Sequence, residues 1–261
     1  MLCCDGHLSL TVPSARPPNV LSNDRTLSIV TETLAADPMA QTPDQLWAAV
    51  DRYITALVVQ PDPALDAALD AATHAGLPQI SVTAGEGKLL QLLARIRGAR
   101  NILEVGTLGG YSTIWMARAL PPGGRLVTLE SEPLHASVAR ANIARAGLGA
   151  VVDVRVGLAL DALPLLAQES RRFDLIFIDA DKANIPAYFD WAVKLSTPGA
   201  IIVVDNVIRD GRVIDDASED ASIRGVRQFN ELLASDTRVS ATTIQTVGSK
   251  GYDGFALAVV N

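Results

Sequence analysis

From Asn101 onward the chain repeats one unit: a short run rich in Val, Ile and Leu, a turn, then an amphipathic helical stretch. The apolar runs are NILEVG (101–106), RLVTLE (125–130), VVDVRVG (151–157), FDLIFIDA (173–180) and AIIVVDN (200–206). Helical patterns fall between them near 111–119, 133–147, 159–168 and 184–195. Strand followed by helix, repeated, implies a parallel sheet with both faces covered. After a helix over 223–234, the runs RVSATTIQTV and GYDGFALAVV are separated only by Gly248, Ser249, Lys250 and Gly251, short enough for an antiparallel hairpin. The expected fold is α/β: a Rossmann-like, doubly wound, mostly parallel seven-stranded sheet with an antiparallel C-terminal hairpin. Helical spacing of apolar residues over Pro43–Val58 and Pro63–His74, with a further helix over Lys88–Ile96, adds N-terminal helices.

A chain of 261 residues, 49% of them hydrophobic, suits one large domain. The Pro, Ser and Asn content of the first stretch marks residues 1–40 as a disordered extension, leaving 41–261 as the folded domain, with a helical part over 43–98 and the sheet core over 100–261. Thr42, Pro43 and Gln45 have the pattern of a helix start, and Met39 just before them is a candidate initiator. The formal net charge of −7, with no basic cluster to reverse it, argues against nucleic acid as partner. No apolar run reaches the eighteen residues or so of a membrane span. The two cysteines, Cys3 and Cys4, are adjacent and support neither a disulfide framework nor a zinc site. With no signal-like start, the expected location is cytoplasmic.

Two sets of residues carry chemistry. In LEVGTLGGYST the first strand turns into a helix, with Gly106, Gly109 and Gly110 where the backbone turns tightly and approaches a ligand. Glu130 ends the next strand, where a carboxylate accepts hydrogen bonds from the ribose hydroxyls of an adenosine ligand. The second glycine of a nicotinamide-binding G-x-G-x-x-G loop is replaced by Leu108, and Glu104 is unwelcome beside a pyrophosphate but suits a cationic amino-acid group.

The second set lies at the ends of FDLIFIDADK and AIIVVDN. Ligands of parallel α/β sheets bind at the carboxyl ends of strands, so Asp179, Asp205 and Asn206 can converge. Two carboxylates and an amide are hard oxygen donors suited to Mg²⁺, Mn²⁺ or Ca²⁺. Without a cation their approach costs repulsion and desolvation. Lys182, three residues past Asp179, is placed to take a proton from a bound group. Taken singly, Asp179 or Asp181 also suits a helix cap, and Asp205–Asn206 a turn; acids at both strand ends beside a lysine favour a site.

Together, LEVGTLGGYS, VTLE, FIDADK and VVDN resemble the cation-dependent O-methyltransferases of the catechol and caffeoyl-CoA type, bacterial small-molecule members above all. The resemblance runs from about Pro43 to the end and omits the first forty residues. It implies S-adenosylmethionine as cofactor: Glu130 matches the ribose-binding acid, Gly106 and Thr107 the loop backbone, Glu104 and Ser112 the contacts to the methionine portion, and Val82, Ala159 and Asp181 further contacts. Asp179, Asp205 and Asn206 match the metal ligands, with Mg²⁺ expected first, and Lys182 matches the general base. Asp210 matches a substrate contact of the caffeoyl-CoA members. The implied reaction is divalent-metal-dependent methyl transfer to a hydroxyl of a catechol-like or hydroxycinnamoyl phenolic small molecule, by a homodimer.

The polar segment VIRDGRVIDDASED (207–220) follows the metal ligands and is the expected substrate loop, where Arg209 and Arg212 are candidates for an acidic substrate tail. Tyr252 is a further candidate for the pocket wall. His7, His74 and His135 lie outside these motifs. Two other readings stay open: a Rossmann-type NAD(P)-dependent oxidoreductase, and a non-catalytic S-adenosylmethionine-binding protein.

Overall fold

The computed structural model describes residues 41–261; the expectations for residues 1–40, and for Met39 as initiator, lie outside the described residues. Three helices come first. Thr42 caps α1 (Pro43–Val58) in a reciprocal box, its hydroxyl accepting from Gln45 N–H while the Gln45 side chain accepts from Thr42 N–H. Asp62 caps α2 (Pro63–His74) through Ala64 N–H at 3.0 Å. The third helix, α3 (Ala84–Arg97), starts four residues before the expected Lys88. Gly85 and Gly87 made that stretch look like a loop, but the Thr83–Glu86 capping box closes the first turn. Gly87 also makes room for Trp115, whose Cδ1 would lie 2.3 Å from a Cβ there.

The sheet core follows as β1 (Asn101–Val105), α4 (Tyr111–Ala117), β2 (Arg125–Glu130), α5 (Pro133–Arg145), β3 (Val152–Val156), α6 (Ala159–Gln168), β4 (Phe173–Ile178), α7 (Ile185–Leu195), β5 (Ser196–Asp205), α8 (Ala221–Ser235), β6 (Val239–Gly248) and β7 (Gly251–Val260). Short 3₁₀ turns cover Lys182–Asn184 and Arg212–Ile214. The seven strands lie in the order β3-β2-β1-β4-β5-β7-β6. The first five are parallel, and β7 pairs antiparallel with both β5 and β6. β5 begins at Ser196 rather than the expected 200, because Ser196 pairs with Phe173 across an irregularity in the β4–β5 ladder.

Side chains of successive strand residues point to opposite faces, which sorts the apolar runs into two cores. Leu103, Val105, Ile176 and Ile178 join Phe189 and Phe229 on one face. Ile102, Leu126, Leu175 and Phe177 join Ile114, Trp115 and Met116 on the other. Each such side chain contributes roughly 1.5–3 kcal/mol when fully buried, which is why the strands read as continuous apolar runs rather than alternating ones.

Strand order reverses between β1 and β4, the place where an open α/β sheet leaves a crevice at its strand ends. There Gly106, at φ +99°, passes so close to β4 that a Cβ would sit 2.0 Å from the Asp179 carbonyl oxygen. A Cβ on Gly109 would meet Ala72, and one on Gly110 would meet Ala139. Gly106 is therefore required by contacts within the protein, whatever ligand approaches it, and the other two loop glycines leave little room for a side chain.

Candidate active site

A cleft of about 1220 Å³ opens at the carboxyl ends of β1, β2, β4 and β5. Gly106, Thr107, Ser112, Glu130, Asp179, Asp181, Lys182, Asp205, Asn206, Val82, Ala159 and Arg209 all line it. Among the expected site residues, Glu104 sits behind the wall and is fully buried, and the exposed Asp210 does not line the cleft.

Glu104 lies in β1 opposite Thr128 of β2 and Phe177 of β4, on the face that carries Ile102. Three hydroxyls donate to it: Ser112 to Oε1 at 2.5 Å, Thr113 and Thr128 to Oε2 at 2.5 and 2.7 Å. Thr128 shares a further hydrogen bond with Thr107 at 2.5 Å. Burial pushes the Glu104 carboxyl up to about 7; the three hydroxyls pull against it and the charge of Asp179 adds to it. Such a buried acid, satisfied only by neutral donors, is suited to meeting a cationic group through Ser112 at the cleft wall.

Glu130 at the end of β2 holds the glycine loop. Its Oε2 accepts from Thr107 N–H at 3.1 Å and Leu108 N–H at 2.7 Å, and its Oε1 from Glu132 N–H at 3.0 Å. A carboxylate has about four acceptor sites, so lone pairs remain for hydroxyl donors in the cleft. His135 Nδ1, on the first turn of α5, lies 3.5 Å from Glu130 Oε1 and faces the same cleft. The sequence motifs excluded this histidine; its place on the first turn after the acid was the only available signal.

The oxygen donors come from adjacent strands. β4 pairs with β5 through Ile178 and Val204, which puts Asp179 and Asp205 one residue further on beside each other. Burial first, then the charges of Asp179 and Glu86, push Asp205 up to about 7, against Lys182 and the Asn206 N–H, which lower it. Asn206 N–H donates to Asp205 Oδ1 at 2.8 Å, and Lys182 Nζ donates to Asp179 Oδ1 at 2.8 Å. Among the described residues no group of three or more His, Cys, Asp or Glu side chains is placed to hold a metal; this set is two carboxylates and an amide. Crowded carboxylates that resist joint ionisation are a donor set that a divalent cation fits.

Asp181 is fixed by its neighbours rather than capping a helix: Tyr188 Oη and Asn184 Nδ2 both donate to it. Of the loop candidates, Arg209 faces the cleft and its Nε is buried without a hydrogen-bond partner. Arg212 pairs with Asp220 at 3.3 Å on the exposed side. Tyr252 donates to Gln245 and is absent from the cleft wall, whereas its neighbours Gly251 and Asp253 form part of it.

A Rossmann-like α/β sheet continued by an antiparallel pair, with this acid-rich cleft at its switch point, defines the methyltransferase class of fold. A family profile described as O-methyltransferase matches residues 58–259. Over 218 residues the chain is 55% identical to a protein of Niastella koreensis named catechol O-methyltransferase, covering 83% of this chain and 99% of that one. It is also similar to the solved O-methyltransferase from Bacillus cereus in complex with SAH, with a TM-score of 0.82 and 56% identity over 84% of this chain and 100% of that one. The O-methyltransferase TomG from Streptomyces achromogenes, involved in tomaymycin synthesis and solved in complex with SAM, matches with a TM-score of 0.82 and 52% identity over 85% and 100%. The chain belongs to the O-methyltransferase family and is an enzyme of that class.

Proposed function

We propose that this enzyme transfers a methyl group from S-adenosylmethionine to one hydroxyl of a catechol-like or hydroxycinnamoyl phenolic small molecule, with a divalent cation, Mg²⁺ first, held by Asp179, Asp205 and Asn206. The observation that carries this reading is the pairing of two carboxylates at adjacent strand ends with Lys182 2.8 Å from one of them. Membership of an O-methyltransferase family favours transfer over the oxidoreductase and binding-only readings.

Each residue has a stated task. Glu130 takes hydroxyl donors of the adenosine ribose, while Glu104, through Ser112, faces the cationic amino-acid end. The cofactor supplies an already activated methyl electrophile, so the protein contributes alignment and proton removal. Asp179, Asp205 and Asn206 would hold a divalent cation whose positive charge would stabilise the phenolate of the acceptor. In its neutral form Lys182 accepts the proton from the hydroxyl being methylated, with Asp179 orienting the amine through their hydrogen bond. Arg209, which lines the cleft, favours acceptors carrying a carboxylate.

Among the described residues no helix is long and apolar enough to cross a membrane, and a cytoplasmic enzyme without a nucleic-acid partner fits this reading. Leu46, Val50, Ile54, Leu57 and Val58 leave an exposed apolar stripe on α1, which supports a homodimer; light scattering behind size exclusion tests it. The reaction itself is tested by transfer of labelled methyl from S-adenosylmethionine to a panel of catechols, with Mg²⁺ and then with excess chelator. Transfer that survives chelation would remove the cation from the proposal, and no transfer to any phenol would remove the acceptor class.

A further inference from the structure

The turn after β5 carries the third oxygen donor, Asn206, and the cleft residue Arg209. Its backbone is unusual: Asn206, Arg209 and Asp210 have φ of 59°, 56° and 56°, in the left-handed region that disfavours side chains. Non-glycine residues hold such angles when their surroundings over-determine them. Here the surroundings are three residues of β7. Val207 N–H donates to the Gly254 carbonyl at 2.9 Å, and Asp210 N–H to the Tyr252 carbonyl at 3.2 Å. Between them, Ile208 N–H and Arg209 N–H converge on Asp253 Oδ1, at 3.0 and 2.9 Å. The same oxygen accepts Gly254 N–H at 2.9 Å. Four successive amides of the turn are thus bound by Tyr252, Asp253 and Gly254. The approach is close enough that a Cβ on Gly254 would lie 2.7 Å from Ile208 Cγ1.

We propose that Asp253 is a positioning residue of the active site, whose carboxylate locks the Asn206–Asp210 turn and so holds Asn206 in the oxygen trio and Arg209 at the cleft. A charged oxygen suits this task because one atom must hold three N–H groups, and bonds to an ionised acceptor are the stronger kind. Asn206 is the residue most directly affected, since its own N–H already bonds Asp205 Oδ1 and its strained φ depends on the turn that follows. The inference rests on the proposed cation site and extends it by one residue outside the oxygen trio.

The experiment measures Mn²⁺ binding to the full chain from the electron paramagnetic resonance signal of free Mn²⁺, with S-adenosylhomocysteine binding by calorimetry on the same preparations. Wild type, Asp253→Ala, Asp253→Asn and Asp205→Ala are compared. Asp253→Ala is expected to weaken Mn²⁺ binding roughly 10–100-fold, the usual range for a residue that supports a metal ligand, and to leave S-adenosylhomocysteine affinity unchanged. Asp253→Asn, which keeps an acceptor oxygen without the charge, restores part of the loss and carries the test if the alanine variant does not fold. Mn²⁺ affinity equal to wild type in the folded variants overturns the inference, as does an equal loss of both ligands, which would make Asp253 a residue of the fold alone. If wild type binds no Mn²⁺, or Asp205→Ala binds it as well as wild type, the cation site itself fails and the inference with it.

Discussion

Lys182 Nζ donates to Asp179 Oδ1 at 2.8 Å, and their side chains are only 10% and 24% exposed. One turn of chain past β4 therefore delivers an amine and an oxygen donor to the same point of the cleft. In the proposed mechanism the pair would join proton removal to substrate placement, because the group that orients Lys182 is also a proposed cation ligand.

Replacing the amine without removing its bulk isolates its role. Lys182→Gln is expected to lower kcat by roughly 10²–10⁴-fold, the usual range for a general base, while S-adenosylhomocysteine affinity stays near wild type. Single-turnover kinetics and calorimetry check this; a rate within threefold of wild type would remove Lys182 from proton transfer.

Glu104 gives the unliganded protein a defined pH response. Its folded pKa of about 7 lies above the ordinary 4.5, so between those values the folded state holds a proton that the unfolded state has lost. Stability from this group therefore falls as pH rises through the window, by about 3 kcal/mol in all. Glu104→Gln cannot titrate, so its stability relative to wild type should rise between pH 5 and pH 8 in urea melts. A constant difference across that range would contradict the prediction.

Under the proposed function the same acid would act on cofactor binding in the opposite sense. If ionised Glu104 meets the cationic amino-acid group as proposed, S-adenosylhomocysteine should bind more weakly below about pH 7, and binding there should release a proton. Calorimetry at pH 6 in buffers of different ionisation enthalpy reads that proton directly. Glu104→Gln should bind roughly 10–100-fold more weakly at pH 8, as loss of the buried charge behind Ser112 implies.

Gly106→Ala tests the closest approach in the site. The new Cβ would collide with the Asp179 carbonyl and would occupy a φ of +99°. We expect a loss of about 3 kcal/mol or more, seen as a Tm lowered by roughly 6–12 °C. An unchanged Tm would mean that the β1–β4 switch point is looser than its geometry indicates.

Arg209→Gln separates acceptors by charge. KM for 3,4-dihydroxybenzoate should rise about tenfold, the scale of one charge-assisted hydrogen bond, while KM for uncharged catechol stays constant. An equal change for both would mean that Arg209 shapes the cleft without reading a carboxylate.

Much of this protein was legible in its one-dimensional pattern. Continuous Val, Ile and Leu runs marked parallel strands buried on both faces, and the acids at their ends, Glu130, Asp179 and Asp205, fell at the cleft because parallel strands all present their carboxyl ends to one side. These features are local, set by a side-chain period of two and by where an apolar run stops. The start of α3 was misread, since Gly85 and Gly87 disguised a first turn that the Thr83–Glu86 capping box closes and that Trp115 packs against at Gly87.

What required tertiary structure was every relationship across strands. The three hydroxyls around Glu104 come from α4 and from the register of β1 on β2; His135 on the first turn of α5 lies 3.5 Å from Glu130; and Asp253 meets Ile208 and Arg209 from 45 and 44 residues away. Sequence determined which candidate groups gather at the cleft and at which end of the sheet it lies. Folding decided which of them touch, because hydrogen bonds of 3 Å depend on register and close approach, and no spacing along the chain encodes either.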